Sequence, residues 1–401
     1  MGLNETVSAE RLHIGFFGMR NAGKSSVVNA VTGQNLSVVS DVKGTTTDPV
    51  KKAMELLPLG PVVIIDTPGL DDEGELGQLR VDKAKQMMAQ TDLAVVVCDA
   101  SVGLRDHDQQ ILRELETRKI PYVIAYNKAD LLSERPALGD NKLYVSAVTG
   151  EGIATLKERL GAFAKQRTAP KFVVRDLLSA GDSVVLVTPI DESAPKGRLI
   201  LPQQMTLREV LDAHATAIVC QETELASTLQ QLARKPRLVI TDSQVFGKVA
   251  QHTPADVPLT SFSILMARYK GDLQELVRGF AALQRLRDGD KVLICEGCTH
   301  HRQCNDIGTV KMPGWIEQFS GVKPHYDFTS GGEFPASLTD YRVIVHCGGC
   351  MLNEAEMKHR IRLAQQAGIP IVNYGIAIAG MHGILKRSLE LFPDMLALLE
   401  T

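Results

Sequence analysis

Two groups of residues in this 401-residue chain have types and spacings suited to chemistry. The first is Gly18-Met19-Arg20-Asn21-Ala22-Gly23-Lys24-Ser25, a G-x4-G-K-S run. Glycines at those places let successive backbone N–H groups, from Gly18 through Asn21, Ala22 and Gly23 to Ser26, wrap phosphate oxygens at a helix N-terminus. Lys24 is then placed for the β- and γ-phosphates and the Ser25 hydroxyl for Mg²⁺. The second group is made of thiols. Seven cysteines are an odd number for a disulfide framework, and five of them (Cys295, Cys298, Cys304, Cys347, Cys350) fall within 56 residues, interleaved with His300 and His346. Such crowding of soft donors points to a metal centre or a redox site.

Further short motifs follow the phosphate loop in an order that extends its chemistry. Gly44-Thr45-Thr46-Thr47-Asp48 offers hydroxyls, at Thr45, Thr46 or Thr47, to complete a Mg²⁺ shell when a γ-phosphate is present. Asp66-Thr67-Pro68-Gly69 puts a metal-holding carboxylate at Asp66 and a γ-phosphate-binding N–H at Gly69. Asn127-Lys128-Ala129-Asp130 ends in a carboxylate able to accept from the guanine N1–H and N2–H₂ edge together, a donor pair that adenine lacks. Ser146 and Ala147 offer backbone N–H to guanine O6. The ligands expected are GTP or GDP with Mg²⁺, and Lys24, Asn21, Asp66 and Gly69 are the residues expected to act on the γ-phosphate.

These residues need strands and helices to hold them. Apolar runs at His13–Phe17, Val62–Ile65, Leu93–Cys98 and Tyr122–Tyr126, with a fifth ending at Val145-Ser146-Ala147, put every motif at a strand end, and Ser25–Val31 reads as the first helix. After Ala169-Pro170 comes another alternation: strand Ser183–Thr188, helix Thr206–Ala213, strand Thr216–Cys220, helix Glu222–Ala233 and strand Arg237–Thr241. A helix over Asp272–Leu286 then leads into strands Lys291–Ile294 and Tyr341–Val345, each running into a cysteine cluster. If those two strands are parallel neighbours, both clusters emerge at the edge where open α/β sheets hold ligands. The expected architecture is α/β: a P-loop domain at 1–168, then two further α/β domains with mainly parallel sheets at 169–260 and 261–401. Cys98 and Cys220 read as buried strand thiols.

Composition excludes several classes. Apolar residues make 44% of the chain and charged residues 23%, ordinary for a globular protein. With 44 basic against 47 acidic residues there is no general electrostatic case for nucleic acid or a membrane surface. The start, Met1 to Arg11, has no apolar run, although Met1-Gly2-Leu3-Asn4-Glu5-Thr6 fits an acylation pattern. The uncharged stretch Leu363–Leu385, long enough to span a bilayer, contains Pro370, Asn373 and His382 and reads as helix end, buried strand and helix start. A cytoplasmic, soluble protein is expected.

The nucleotide motifs together resemble the translation-factor-related GTPases over about residues 8 to 167. Asn21 in the loop is similar to the potassium-dependent branch of that class, which implies K⁺ beside Asn21 in place of an arginine finger. The residue after Asp66-Thr67-Pro68-Gly69 is Leu70, not the glutamine that orients water in other GTPases, which implies slow intrinsic hydrolysis or a group from elsewhere, with Glu73 and Glu75 as candidates.

For the cysteines, spacing alone leaves open buried unligated turns, structural zinc through Cys₂His₂ or Cys₃His, redox Cys-x-x-Cys chemistry, and an iron–sulfur cluster. Cys298-x-His300, 45 intervening residues (301–345) and His346-Cys347-x-x-Cys350 resemble the signature of the HydF family of [FeFe]-hydrogenase maturation GTPases. That family joins a GTPase domain, a dimerisation domain and an iron–sulfur domain, so the resemblance covers the whole chain. It implies a [4Fe–4S] cluster on Cys298, Cys347 and Cys350 with one iron open, and His300 and His346 matching the motif's histidines; Cys295 and Cys304 lie outside the motif and each reads as a fourth ligand, a spare thiol or a structural residue. It also implies a di-iron precursor as cargo, supplied by two radical-S-adenosylmethionine maturases and passed to the apo-[FeFe]-hydrogenase by a homodimer or tetramer. The different-class alternative is a GTPase of tRNA modification or ribosome assembly with C-terminal zinc.

Overall fold

The computed structural model describes residues 8–35, 50–67, 83–166, 171–190, 199–297, 306–335 and 337–399. Of the expected site residues, Thr45, Thr46, Thr47, Gly69, Cys298, His300 and Cys304 lie outside the described residues, as do Leu70, Glu73 and Glu75. The chain divides into two compact units, 1–170 and 171–401.

In the first unit the strands are β1 (Leu12–Phe17), β2 (Val50–Leu56), β3 (Gly60–Asp66), β4 (Leu93–Asp99), β5 (Tyr122–Asn127) and β6 (Lys142–Tyr144), in the order β2-β3-β1-β4-β5-β6. β1, β3, β4, β5 and β6 are parallel, and β2 runs antiparallel to β3. The inner strands are near-continuous apolar runs because helices cover both faces. Alternation along each strand splits them into two layers. Ile14, Phe16, Val62, Ile64, Val95 and Val97 pack with Val27, Val28 and Leu156, from the helices Lys24–Thr32 and Ile153–Gln166. Phe17, Val63, Ile65, Val96 and Cys98 pack with Ile111 and Leu115 of the helix Asp106–Thr117. β2 is absent from the sequence reading. Its Val-Lys-Lys-Ala-Met-Glu-Leu pattern is mostly solvent-facing, as suits an edge strand protected by charge. The fifth expected strand is β6, and it ends at Tyr144, just before Val145-Ser146-Ala147.

The second unit contains two four-stranded, all-parallel sheets. One joins β7 (Ser183–Val187), β8 (Thr216–Cys220), β9 (Leu238–Thr241) and β10 (Leu259–Ser261) in the order β10-β9-β7-β8. The other joins β11 (Lys291–Glu296), β12 (His325–Ser330), β13 (Val343–His346) and β14 (Ile371–Asn373) in the order β12-β11-β13-β14. The helix expected at Thr206–Ala213 begins earlier, at Leu201, where Pro202 fits the first turn with no N–H to satisfy. The stretch Leu363–Leu385 divides as expected: a helix ending at Ala367, β14, then the helix Tyr374–Met381. Among the described residues no helix is long and apolar enough to cross a membrane.

Strand ends double as helix caps in this unit. Ser261 closes β10 and accepts from Ile264 N–H, and Asn373 closes β14 and accepts from Ile376 N–H. The helix Tyr374–Met381 has most of its side chains buried, and it packs on the helix Phe262–Lys270 so closely that a Cβ on Gly375 would sit 2.4 Å from the Ser263 Cβ. The C-terminal segment returns across the β7–β10 sheet, where Thr260 Oγ1 donates to Ser388 O and Arg387 donates to the carbonyls of Ala250 and Thr253.

Candidate functional site

The first site is the loop between β1 and the helix Lys24–Thr32. It lies so close over β4 that a Cβ on Gly18, at φ 141°, would be 2.1 Å from Val97 O. Asn21 has φ 60°, a left-handed conformation that asparagine tolerates, so the backbone is by itself one reason for this residue type. Lys24 is 7% exposed, and its Nζ donates to the carbonyls of Gly18 and Met19, each at 2.9 Å. The ammonium thus curls over the loop where phosphates would enter. Ser25 Oγ donates to Asp66 Oδ2 at 2.9 Å. Asp66 is buried, and its Oδ1 has no hydrogen-bond partner among the described residues. A hydroxyl beside a buried carboxylate with a spare oxygen suits a hard divalent cation, so these residues fit Mg²⁺.

The base-binding motifs close on the same loop. Asn127 is buried, with Nδ2 donating to Ala22 O at 3.0 Å and Oδ1 accepting from Ala147 N–H at 3.1 Å. It therefore ties the phosphate loop to the segment after β6. Lys128, at φ 65°, pairs with Asp99 Oδ2 at 2.6 Å. Burial pushes the Asp99 carboxyl up, but hydrogen bonds from Lys128 and Ser101 outweigh it and hold the group below its ordinary value. Asp130 is exposed, and Ser146 is buried with Oγ accepting from Thr149 N–H. The structure thus brings Gly18, Asn21, Ala22, Gly23, Lys24, Ser25, Ser26, Asp66, Asn127, Lys128, Asp130, Ser146 and Ala147 to the C-terminal edge of one sheet. Asp99 carried no sequence signal beyond ending a strand.

The second site lies at the C-terminal edge of β11 and β13, which are parallel neighbours with Cys295 opposite His346. Cys347 N–H donates to Cys295 O at 2.8 Å, and Gly297 N–H donates to Cys347 Sγ at 3.0 Å, so the segment leading to residue 298 sits against the Cys347-Gly348-Gly349-Cys350 turn. Gly349 N–H is a second donor to the same sulfur, at 3.4 Å. Burial pushes the Cys347 thiol up to about 11 against those two donors, and it raises Cys350 against the charge of Lys270. Backbone donors aimed at a sulfur favour its thiolate form, as a ligand sulfur requires. Among the described residues no three His, Cys, Asp or Glu side chains form a metal-holding group; two thiols of the expected triad are present. What is described fits a thiolate-ligated metal centre.

The remaining candidates differ in their surroundings. Cys295 is fully buried in the apolar core, where burial raises its thiol to about 12. His346 is also fully buried, and both ring nitrogens are engaged: Nδ1 lies 2.8 Å from Cys347 O and Nε2 3.1 Å from Arg360 Nη1. Because an arginine can only donate, Nε2 is the acceptor and Nδ1 carries the proton. Burial, and then Arg360, lower this imidazole to about 3. Arg360 itself is held by Gly331 O and Glu356 beneath the ring of Phe334. Neither Arg360 nor Lys270 was singled out in the sequence, where each is one basic residue of a helix. Cys220 is half-buried, not buried, because β8 is an edge strand.

Residues 13–128 match the 50S ribosome-binding GTPase family, 173–271 the hydrogen maturase F dimerization domain and 274–391 the hydrogen maturase F tetramerization domain. The tRNA modification GTPase MnmE of Nitrosomonas europaea is 32% identical over 156 residues, 38% of this chain and 34% of that protein. MnmE of Xanthomonas euvesicatoria pv. vesicatoria is 37% identical over 158 residues, again 38% and 34%. GTPase Der of Kosmotoga olearia is 27% identical over 223 residues, half of each chain. This chain therefore spans a third to a half of the length of these relatives. Among solved structures, Aquifex aeolicus Era bound to GDP and AlF4⁻ covers 80% of this chain and 92% of its own at 16% identity and a TM-score of 0.35. The G domain of the T. maritima FeoB iron transporter covers 39% and 99% at 24% identity and a TM-score of 0.30. The N-terminal unit is a GTPase domain. With two hydrogen maturase F domains matched in succession over more than half of its residues, behind that GTPase domain, the protein belongs to the hydrogen maturase F (HydF) family.

Proposed function

We propose that the protein is a GTP-hydrolysing scaffold that holds a [4Fe–4S] cluster on the Cys347 and Cys350 turn with Cys298, carries the di-iron precursor of the [FeFe]-hydrogenase active-site cluster, and delivers it to the apo-hydrogenase in the cytoplasm. The observation that carries this reading is the Gly297–Cys347 contact: parallel β11 and β13 bring the chain leading into Cys298 against the Cys-Gly-Gly-Cys turn, in a chain whose second unit matches hydrogen maturase F domains. Held by these three thiolates, such a cluster would keep one exchangeable iron, which suits holding and releasing a second metal assembly. The same reading takes the precursor from two radical-S-adenosylmethionine maturases. The matched domains, one of dimerization and one of tetramerization, support self-association.

In the GTPase domain, Lys24 exchanges its carbonyl partners for the β- and γ-phosphates, while Ser25 and Asp66 would hold Mg²⁺, which would supply charge neutralisation at the phosphates. Asp130 selects guanine by accepting from its N1–H and N2–H₂; the N–H groups expected to face O6 are donated within the protein instead, Ala147 N–H to Asn127 Oδ1 and Ser146 N–H to Glu151 O. Water attacks the γ-phosphorus, the bond to the β–γ bridging oxygen breaks, and GDP and phosphate leave. K⁺ beside Asn21 would add positive charge where negative charge develops. Hydrolysis serves to change conformation and partner affinity, through loops ordered by the γ-phosphate.

Two measurements test this. Anaerobically reconstituted protein should contain iron and sulfide and give a reduced-cluster paramagnetic signal; stoichiometric zinc with neither iron nor sulfide would sink the scaffold reading in favour of a zinc-bearing GTPase of tRNA modification or ribosome assembly. GTP turnover should be faster in K⁺ than in Na⁺. Equal rates remove potassium from the mechanism and leave the left-handed backbone as the reason for Asn21.

A further inference from the structure

We propose that Lys270 is a positioning residue for the metal centre, holding the Cys347–Leu352 turn from behind and giving the thiolate ligands a fixed positive charge. The inference rests on the cluster reading above. Lys270 ends the helix Phe262–Lys270 and is only 2% exposed. Its Nζ donates to Leu352 O at 3.0 Å and to Cys350 O at 3.2 Å. A lysine in the last turn of a helix ordinarily serves that helix's own carbonyls. This one reaches a turn about eighty residues on in the chain, two of whose residues it binds at once.

Burying an ammonium is costly, and it is tolerated where hydrogen bonds and nearby negative charge compensate. The two carbonyls supply the hydrogen bonds. Negative charge beside those carbonyls is what a thiolate-ligated cluster on the turn would bring. The opposite end of the turn is held by a different buried cation, Arg360, which acts through His346 on Cys347 O. Arg360 has Glu356 beside it, so its charge is largely matched within its own helix. Lys270 belongs to the segment matched as the dimerization domain and the turn to the one matched as the tetramerization domain. One domain therefore supplies the clamp for the ligands of the next.

The test uses the full chain, reconstituted anaerobically, as wild type, Lys270→Arg, Lys270→Gln and Lys270→Met. The readouts are iron and sulfide per chain, the midpoint potential from a redox titration followed by paramagnetic resonance, the rate of iron loss to a chelator, and GTP turnover. Lys270→Gln can still donate to a carbonyl but is neutral. It should keep its iron and shift the midpoint to a more negative value, because the added electron loses a nearby positive charge. Lys270→Met should show the same shift and lose iron at least several-fold faster, while Lys270→Arg restores both. GTP turnover should stay at the wild-type rate. A wild-type midpoint and iron-loss rate in both Lys270→Gln and Lys270→Met overturns the role of Lys270 and leaves the scaffold reading standing. If Lys270→Met fails to fold, the midpoint of Lys270→Gln decides. Zinc in place of iron in the wild type overturns the scaffold reading, and this role with it.

Discussion

The phosphate loop and the thiolate turn both sit at the C-terminal edges of parallel strands, yet they handle positive charge in opposite ways. Lys24 donates to carbonyls of its own loop, five and six residues away in sequence, local contacts that a ligand's phosphates can replace. Lys270 donates to carbonyls of a turn about eighty residues away, and Arg360, besides Glu356 of its own helix, donates to His346 and to Gly331 O, so neither can move without undoing the turn they hold. A mobile clasp suits a nucleotide that comes and goes. A fixed frame suits a group that stays.

This contrast can be broken or sharpened by experiment. The largest effect is expected from Cys347→Ser, which removes a proposed cluster ligand and two N–H···S contacts: iron content should fall to background while GTP turnover is unchanged. Loss of turnover in a folded variant would mean that the sites are not separable. Lys24→Ala should lower GTP turnover by about 10²–10³-fold, the usual cost of a missing donor to developing charge, with iron content intact. Iron loss in that variant would make the two sites one system. Asn127→Ala removes two hydrogen bonds, one of them fully buried, and should destabilise the N-terminal unit by about 2 kcal/mol and weaken GDP binding at least about tenfold, read by thermal melting and nucleotide titration. The smallest effect is expected from Asp99→Asn. Because the carboxyl is held below its ordinary 3.8, the Asp99–Lys128 pair stabilises the fold above that pH and loses its effect as pH falls through the carboxylate range. Wild type should therefore exceed Asp99→Asn by about 0.5–1 kcal/mol at pH 7, with the difference shrinking as pH falls below 3.8. A constant difference across that range would assign the loss to packing instead of charge.

The two sites also differ in how far they can be read from sequence. At the phosphate loop every contributor belongs to a short contiguous motif, because a wrapped anion needs consecutive N–H groups, and the motifs name Lys24, Ser25, Asp66 and Asn127 directly. At the turn only the thiols are contiguous. Lys270 and Arg360 reach it through the register of β11 and β13 and through helix packing, and a single basic residue in an amphipathic helix carries no mark of that. The same limit explains β2, whose paired lysines mimic a loop, while the inner strands were evident from their unbroken apolar runs.

Ser261 and Asn373, each both the last residue of a strand and the cap of the next helix, leave no slack between sheet and helix. Inserting one residue at either place would rotate the following helix by about 100°. For the helix after Asn373 that would swing Gly375 away from Ser263 and drive a larger side chain into the gap. Tags, fluorophores and circular permutants should avoid these junctions.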